Sequence, residues 1–539
     1  MVLHQQSHIF GDEYYLQKIV VVAKHPSSCC RTMTDSNYAP PTAEDIFRYR
    51  YQHGTNLGSM FVHGPWLSDG ASSSDSGSSK ELEEVKRSLK ACGLEETRLK
   101  WEAHWRTSLT DFDIIWLKDV ARCNSIRIPI GFFTLGPVFC TGTDFEGAAS
   151  EVYVNCWNIL KRLIEKCYHH GIGVLIDFQI IPGSMDRNSH SEIGIADFCA
   201  SERSWTMATD CVTFIVQEVT YHAMAGVIGV QISSETDWKT CDLRKWYDEV
   251  LEITSCVNPS LPIYISDGGN FAEALDYALR KNRLESPVAR SPIIVDTHKY
   301  YTTGSYQHMD PRAIISRLHS ELSELSTRQG KVGSHRTAVD AYIGQYSCAM
   351  DAQTWARVDA AERPALTKTF GQEQSKQWES KTCGSAFVGY KIHRITGDEW
   401  DFERQVSTDA IPPPSWLAIP RAQVISKIAQ AETQRLQSRE SALSQHSDSP
   451  NTREHQQYAL GWDLGFNDAL NFFGALSRDV LTGGWNGGEK IGAVELWVRK
   501  RFADTGKLNE DFAEEWENGF RKGVSDFYDL VGINTNSVH

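Results

Sequence analysis

Six side chains at the ends of short apolar runs could do chemistry in this 539-residue chain. The run VIGVQIS (227–233) is followed by Ser234 and Glu235. A carboxyl held at the end of a buried run is a candidate general acid or base, and the plain alternative is a surface glutamate. The segment VDTHKY (295–300) carries His298 and Tyr300 two residues apart, so a strand would point both the same way. A lone histidine is often ordinary structure, but this one sits where a strand would open to a ligand. The segment IGQYS (343–347) carries Gln345. An amide is neutral at every pH; it orients a ligand through hydrogen bonds but cannot act as a carboxylate nucleophile or as a base. IDFQ (176–179) ends in Gln179, and Arg127 lies within SIRIPI (125–130), either pairing with a carboxylate or serving structure alone. A mechanism with paired carboxylates needs a partner for Glu235, and Asp186 and Glu192, after Gln179, are open candidates.

These residues need elements to bring them together. Eight β-rich runs alternate with helix-period stretches, at 54–62, 124–130, 172–178, 227–233, 262–266, 292–297, 341–346 and 384–391. The third is almost continuously apolar, as a strand buried on both faces requires. Before it, Val154, Trp157, Leu160, Ile164 and Cys167 share one side of a predicted helix, which Gly171 ends. The pattern predicts an α/β fold, a (β/α)₈ TIM barrel, with chemistry at the C-terminal strand ends. Domain boundaries are expected as a lead-in over 1–45, the barrel over 46–405, a linker over 406–456 and a helical C-terminal appendage over 457–539. Residues 430–456 are polar and Gln/Ser-rich, a linker or a solvated helix. Helical spacing follows through Tyr458, Trp462, Phe466, Ala469 and Phe473, then Ile491, Val494 and Val498, then Phe512, Trp516, Phe520 and Val524.

Composition narrows the function. The net charge is −15, from 54 basic against 69 acidic residues, which disfavours nucleic-acid binding. Hydrophobic residues at 41% exclude wholesale disorder. No apolar stretch is long enough to span a membrane, and the N-terminus lacks the basic start and apolar run of a secretory signal. The 13 cysteines are spread without a CxxC and read as reduced thiols, so a cytoplasmic location is expected. Dinucleotide, P-loop and zinc-protease motifs are absent. No cofactor and no metal is expected; the adjacent His169 and His170 would point apart on a helix. The oligomeric state is left open.

Several stretches together resemble glycoside hydrolase family five of clan A, in particular a fungal intracellular branch related to exo-β-glucanases and steryl- or lipid-glucosidases. They are YRYQHGTNLGSMFV (49–62), SIRIPIGFFTLGP (125–137), GIGVLIDF (171–178), VIGVQISSE (227–235), PIYISDG (262–268), VDTHKYY (295–301), YIGQYSC (342–348) and GDEW (397–400). The resemblance spans roughly residues 47–405 and extends to the C-terminal helices. It implies a retaining barrel with the acid/base glutamate at Glu235 and the nucleophile at position 345. Arg127, His298 and Tyr300 match the family, and Trp400 lies in the last matching stretch. Four positions depart. Ser234 stands for Asn, Gln345 for the nucleophilic Glu, Gln179 for a histidine and Val388 for a tryptophan that floors the sugar.

A retaining mechanism needs two carboxyl groups about 5–5.5 Å apart, one attacking carbon. With Gln345 the covalent step is lost. Arg127 would then face a neutral amide. The resulting pocket suits a rather apolar small molecule held by a few hydrogen bonds. The leading expectation is therefore a repurposed, non-hydrolytic enzyme, a cyclase, isomerase or pericyclase, acting on a hydrophobic and terpenoid-like substrate of fungal specialised metabolism. In that reading Glu235, Gln345, His298 and Tyr300 are catalytic, while Arg127, Gln179, Ser234, Val388 and Trp400 bind substrate. Two alternatives stand beside it. One is a catalytically dead protein that binds carbohydrate or glycolipid. The other is a β-glucosidase with an engineered Gln345 or altered chemistry.

Overall fold

A computed structural model describes residues 39–58, 60–62, 78–181, 202–234, 237–238, 242–284, 290–330, 332–391, 398–446, 453–478, 486–506 and 512–533. Eight parallel strands close into a barrel: β1 Gln52–Asn56, β2 Ser125–Gly131, β3 Gly173–Ile180, β4 Val227–Gln231, β5 Ile263–Ser266, β6 Ile293–Tyr301, β7 Asp340–Met350 and β8 Gly384–Phe387. Closure comes from β1 lying beside β8, with Gln52 opposite Gly384 and Thr55 opposite Phe387. The strands are buried almost throughout, which explains their Val- and Ile-rich sequences. The TIM barrel read from the alternation of runs is the fold observed.

Local differences have local causes. The first strand was expected over 54–62, but it occupies Gln52–Asn56, because pairing with β2 and β8 uses those residues. The helix before β3 runs Cys156–His169, and Trp157, Leu160, Ile164 and Cys167 are buried on it as expected. Val154 precedes that helix and is 40% exposed, so it does not belong to the buried stripe. Gly171 takes φ 72°, the left-handed conformation that lets the chain turn from this helix into β3.

Beyond the barrel, long helices span Arg421–His446, Arg453–Arg478, Val494–Thr505 and Ala513–Leu530. The polar stretch that begins at 430 is thus helical as far as His446. The segment before the helix Val494–Thr505, and that helix itself, lie against the N-terminal ends of strands. Arg50, just before β1, is fully buried and pairs with Glu489 at 2.8 Å. Glu489 also accepts from Asn124 Nδ2 at 2.9 Å, and Arg50 donates to the carbonyls of Asn124 and Gly171. Backbone bonds follow the pair: Tyr51 N–H donates to the Lys490 carbonyl at 2.8 Å and Gly492 N–H to that of Tyr49 at 2.9 Å. At the foot of β7, Asp340 accepts from Leu496 N–H at 2.9 Å. The nine described cysteines are unpaired thiols. Among the described residues no helix is long and apolar enough to cross a membrane.

Candidate active site

The opposite end of the barrel gathers the polar strand ends. Arg127 on β2 is fully buried and reaches across the interior. It pairs with Asp177 of β3 at 2.9 Å and lies 3.6 Å from Asp296 of β6. The same guanidinium donates to Gln231 Oε1 at 3.1 Å and to Ser234 Oγ at 3.2 Å. Gln231 in turn donates to Asp296 at 2.7 Å. One cation and two amide or hydroxyl groups thus tie β2, β3, β4 and β6 together at one level. Gln345 is bonded elsewhere, so Arg127 faces carboxylates rather than the neutral amide expected of it.

Asp296 links this buried group to the opening. His298 Nε2 lies 3.1 Å from Asp296 Oδ2. Burial alone would raise the Asp296 pKa. The charge and hydrogen bond of His298, with Arg127 and Gln231, outweigh it and hold the carboxyl below its ordinary value. Its position requires a glycine opposite: a Cβ on Gly344 would stand 2.1 Å from Asp296 Oδ1. His298 is paired in register with Gln345 across β6 and β7, where the ladder shifts by a bulge. Tyr300 Oη donates to Gln345 Oε1 at 2.5 Å. The Tyr300 ring lies 6.4 Å from His298, edge to face, and 5.7 Å from Trp400 at 38°. Trp400 comes from the short turn Asp398–Trp400 after β8, so an aromatic wall stands beside the amide.

The structure therefore brings Arg127, Ser234, His298, Tyr300, Gln345 and Trp400 into one connected set. Gln179 sits half-buried near the end of β3, and no hydrogen bond joins it to that set among the described residues. Val388 lies one residue past β8, packed against the barrel core, with its N–H on the Tyr346 carbonyl at 2.9 Å. Glu235, Asp186 and Glu192 lie outside the described residues.

Asp177 and Asp296 lie within the strand-end segments IDFQ and VDTHKY without a role assigned from sequence, and Gln231 and Gly344 were passed over. The spacing of Asp296, His298 and Tyr300 by twos was the available signal for the first link. A further carboxyl, Asp267, follows β5 and accepts from Thr297 Oγ1 at 2.5 Å. Burial raises its pKa, against the hydrogen bonds of Thr297 and Gly269 and the nearby His298 and Lys299.

Comparison with known proteins bears on what this set is for. Residues 431–531 match the family described as the glucan 1,3-beta-glucosidase 3 C-terminal domain. Glucan 1,3-beta-glucosidase 3 of Schizosaccharomyces pombe is 28% identical over 495 residues, 89% of this chain and 95% of its own. An uncharacterized glycosyl hydrolase of Saccharomyces cerevisiae is 24% identical over 90% of this chain and 94% of its own. A solved rutinosidase from Aspergillus niger superposes with a TM-score of 0.48 at 16% identity, covering 68% of this chain and 99% of its own. The two fungal sequence likenesses overturn the leading functional expectation. Relatives that match about nine-tenths of the chain carry glucosidase and glycosyl hydrolase names, and nothing in those names points to a cyclase, isomerase or pericyclase of terpenoid metabolism. Along most of its length the chain is similar to a fungal glucan 1,3-beta-glucosidase and a fungal glycosyl hydrolase.

Proposed function

We propose that the barrel mouth recognises β-linked glucosyl groups and that Gln345 has removed most of the hydrolytic power from this recognition. The observation that carries the reading is the Tyr300 to Gln345 hydrogen bond. An amide occupies the position that the family resemblance gives to the attacking carboxylate, and the tyrosine and histidine around it are those the family keeps. Hydrogen-bonding groups and an aromatic wall remain to hold a sugar, while the group that would attack carbon is gone. Glu235, after β4, is the proposed acid, and Ser234 and Arg127 are its proposed support. Gln179 and Val388 are the proposed outer contacts to the ligand.

The test is Gln345→Glu, assayed with an activated aryl β-glucoside. The expected result is a gain of several orders of magnitude in kcat, with the dissociation constant for a non-hydrolysed glucoside changed only a few-fold. Failure of both forms to bind any β-glucoside in calorimetry defeats the proposal. The names of the relatives support a second reading, an active β-glucosidase working through another carboxyl. Wild-type turnover already equal to that of Gln345→Glu would select it.

A further inference from the structure

Gln345 stands where β7 leaves its regular pairing. Toward β6, Ile343 lies opposite Thr297 and Gln345 opposite His298, so Gly344 is left over between them. Toward β8, Ile343 lies opposite Ser385 and Tyr346 opposite Phe387, so Gly344 and Gln345 share the space across from Ala386. A bulge of this kind re-aims the side chain beside it. The group that braces it comes from a strand that is not a ladder neighbour of β7. The barrel sets β8 between β1 and β7. Asn56, the last residue of β1, nevertheless donates from Nδ2 to the Gly344 carbonyl at 2.9 Å. That carbonyl belongs to the peptide bond joining Gly344 to Gln345.

Asn56 is well placed to hold that peptide. It is 1% exposed. Its backbone lies in register with Arg127, and its carbonyl accepts from Tyr390 N–H at 3.1 Å. Turning its amide over would set oxygen against oxygen at Gly344, so chemistry fixes which end faces the carbonyl. The other end, Oδ1, is buried with no hydrogen bond among the described residues. A side chain serving packing alone would not need an orphaned polar atom. A Cβ on Gly344 would meet Asp296, so the bulge has little freedom on that side, and the Gln345 amide ends on Tyr300 Oη. We propose that Asn56 is a positioning residue: through the Gly344 carbonyl it aims the side chain at 345 toward Tyr300 and the mouth. The same brace holds a glutamate introduced at 345, an effect on turnover that rests on the glucoside reading of the mouth.

The experiment has a structural arm and a kinetic arm, both on the full chain. Crystal structures of the unaltered chain and of Asn56→Leu, which nearly keeps the side chain's shape and removes its donor, give the first. In the variant the Gly344 carbonyl is expected to turn and Gln345 Oε1 to leave hydrogen-bonding reach of Tyr300 Oη. An unmoved Gln345 overturns the proposal whatever the kinetics. The second arm adds Asn56→Leu or Asn56→Ala to Gln345→Glu and assays an activated aryl β-glucoside. Both double variants are expected to lose about tenfold or more in kcat, with KM within about threefold, because a misaimed carboxylate costs the chemical step more than binding. A lower urea midpoint with kcat unchanged means a structural role only and overturns the proposal. No gain in kcat from Gln345→Glu alone defeats the hydrolytic part of the glucoside reading instead, and the crystal structures then decide on Asn56 by themselves.

Discussion

Asp296 shows how tightly one side chain is held between the buried interior and the open mouth. It meets His298, Gln231 and Arg127 on one side and the bare backbone of Gly344 on the other. Gly344→Ala should push the carboxyl off these partners, because a methyl cannot stand 2.1 Å from an oxygen. A loss of about 2–4 kcal/mol in urea unfolding is expected, the range for overpacking that also disturbs a buried ion pair. An unchanged midpoint would mean that β6 and β7 yield cheaply there. Part of this site was legible. Spacing by twos puts Asp296, His298 and Tyr300 on one side of a strand, and the types of those residues suggested hydrogen bonding. Their partners were not legible, since Arg127, Asp177 and Gln231 meet across the barrel interior, and no local pattern on one strand says what the facing strands present.

Strands and helices followed the sequence more closely, because hydrophobic period is a local property. All eight runs became strands, and the errors lie at their ends, where pairing with neighbours decides. One electrostatic feature of β7 was invisible in this way. Asp340 at its foot is fully buried beside Glu495, with Arg521 shared among Asp340, Glu495 and Glu517. Burial first, and then the charge of Glu495, push its pKa from 3.8 up to about 8. The folded state therefore keeps a proton that the unfolded chain releases. The stabilisation is complete below about pH 4 and is lost as pH rises through about 8. Stability should fall across that window with a slope approaching about 1.4 kcal/mol per pH unit. Asp340→Asn should flatten it, as measured by urea midpoints at several pH values. An equal slope in the variant would assign the effect to other groups.

At the scale of the whole molecule, the C-terminal helices are part of the barrel's foundation. The Arg50–Glu489 pair is buried to 0% and 1% exposure and stands on the backbone of two further strand entrances. Glu489→Ala leaves an arginine charge without its partner inside the protein, which costs about 3–5 kcal/mol. Calorimetry should then show the single transition moved to lower temperature, and a split into two transitions would mean that barrel and helices fold independently. Glu489 belongs to the foot of the barrel, while Gln345 stands near the opposite rim. Heritable change at the rim and heritable change at the foot are therefore separate matters. A lineage can exchange a reactive carboxylate for an amide in one substitution and still inherit a sound vessel, open to selection for new contents.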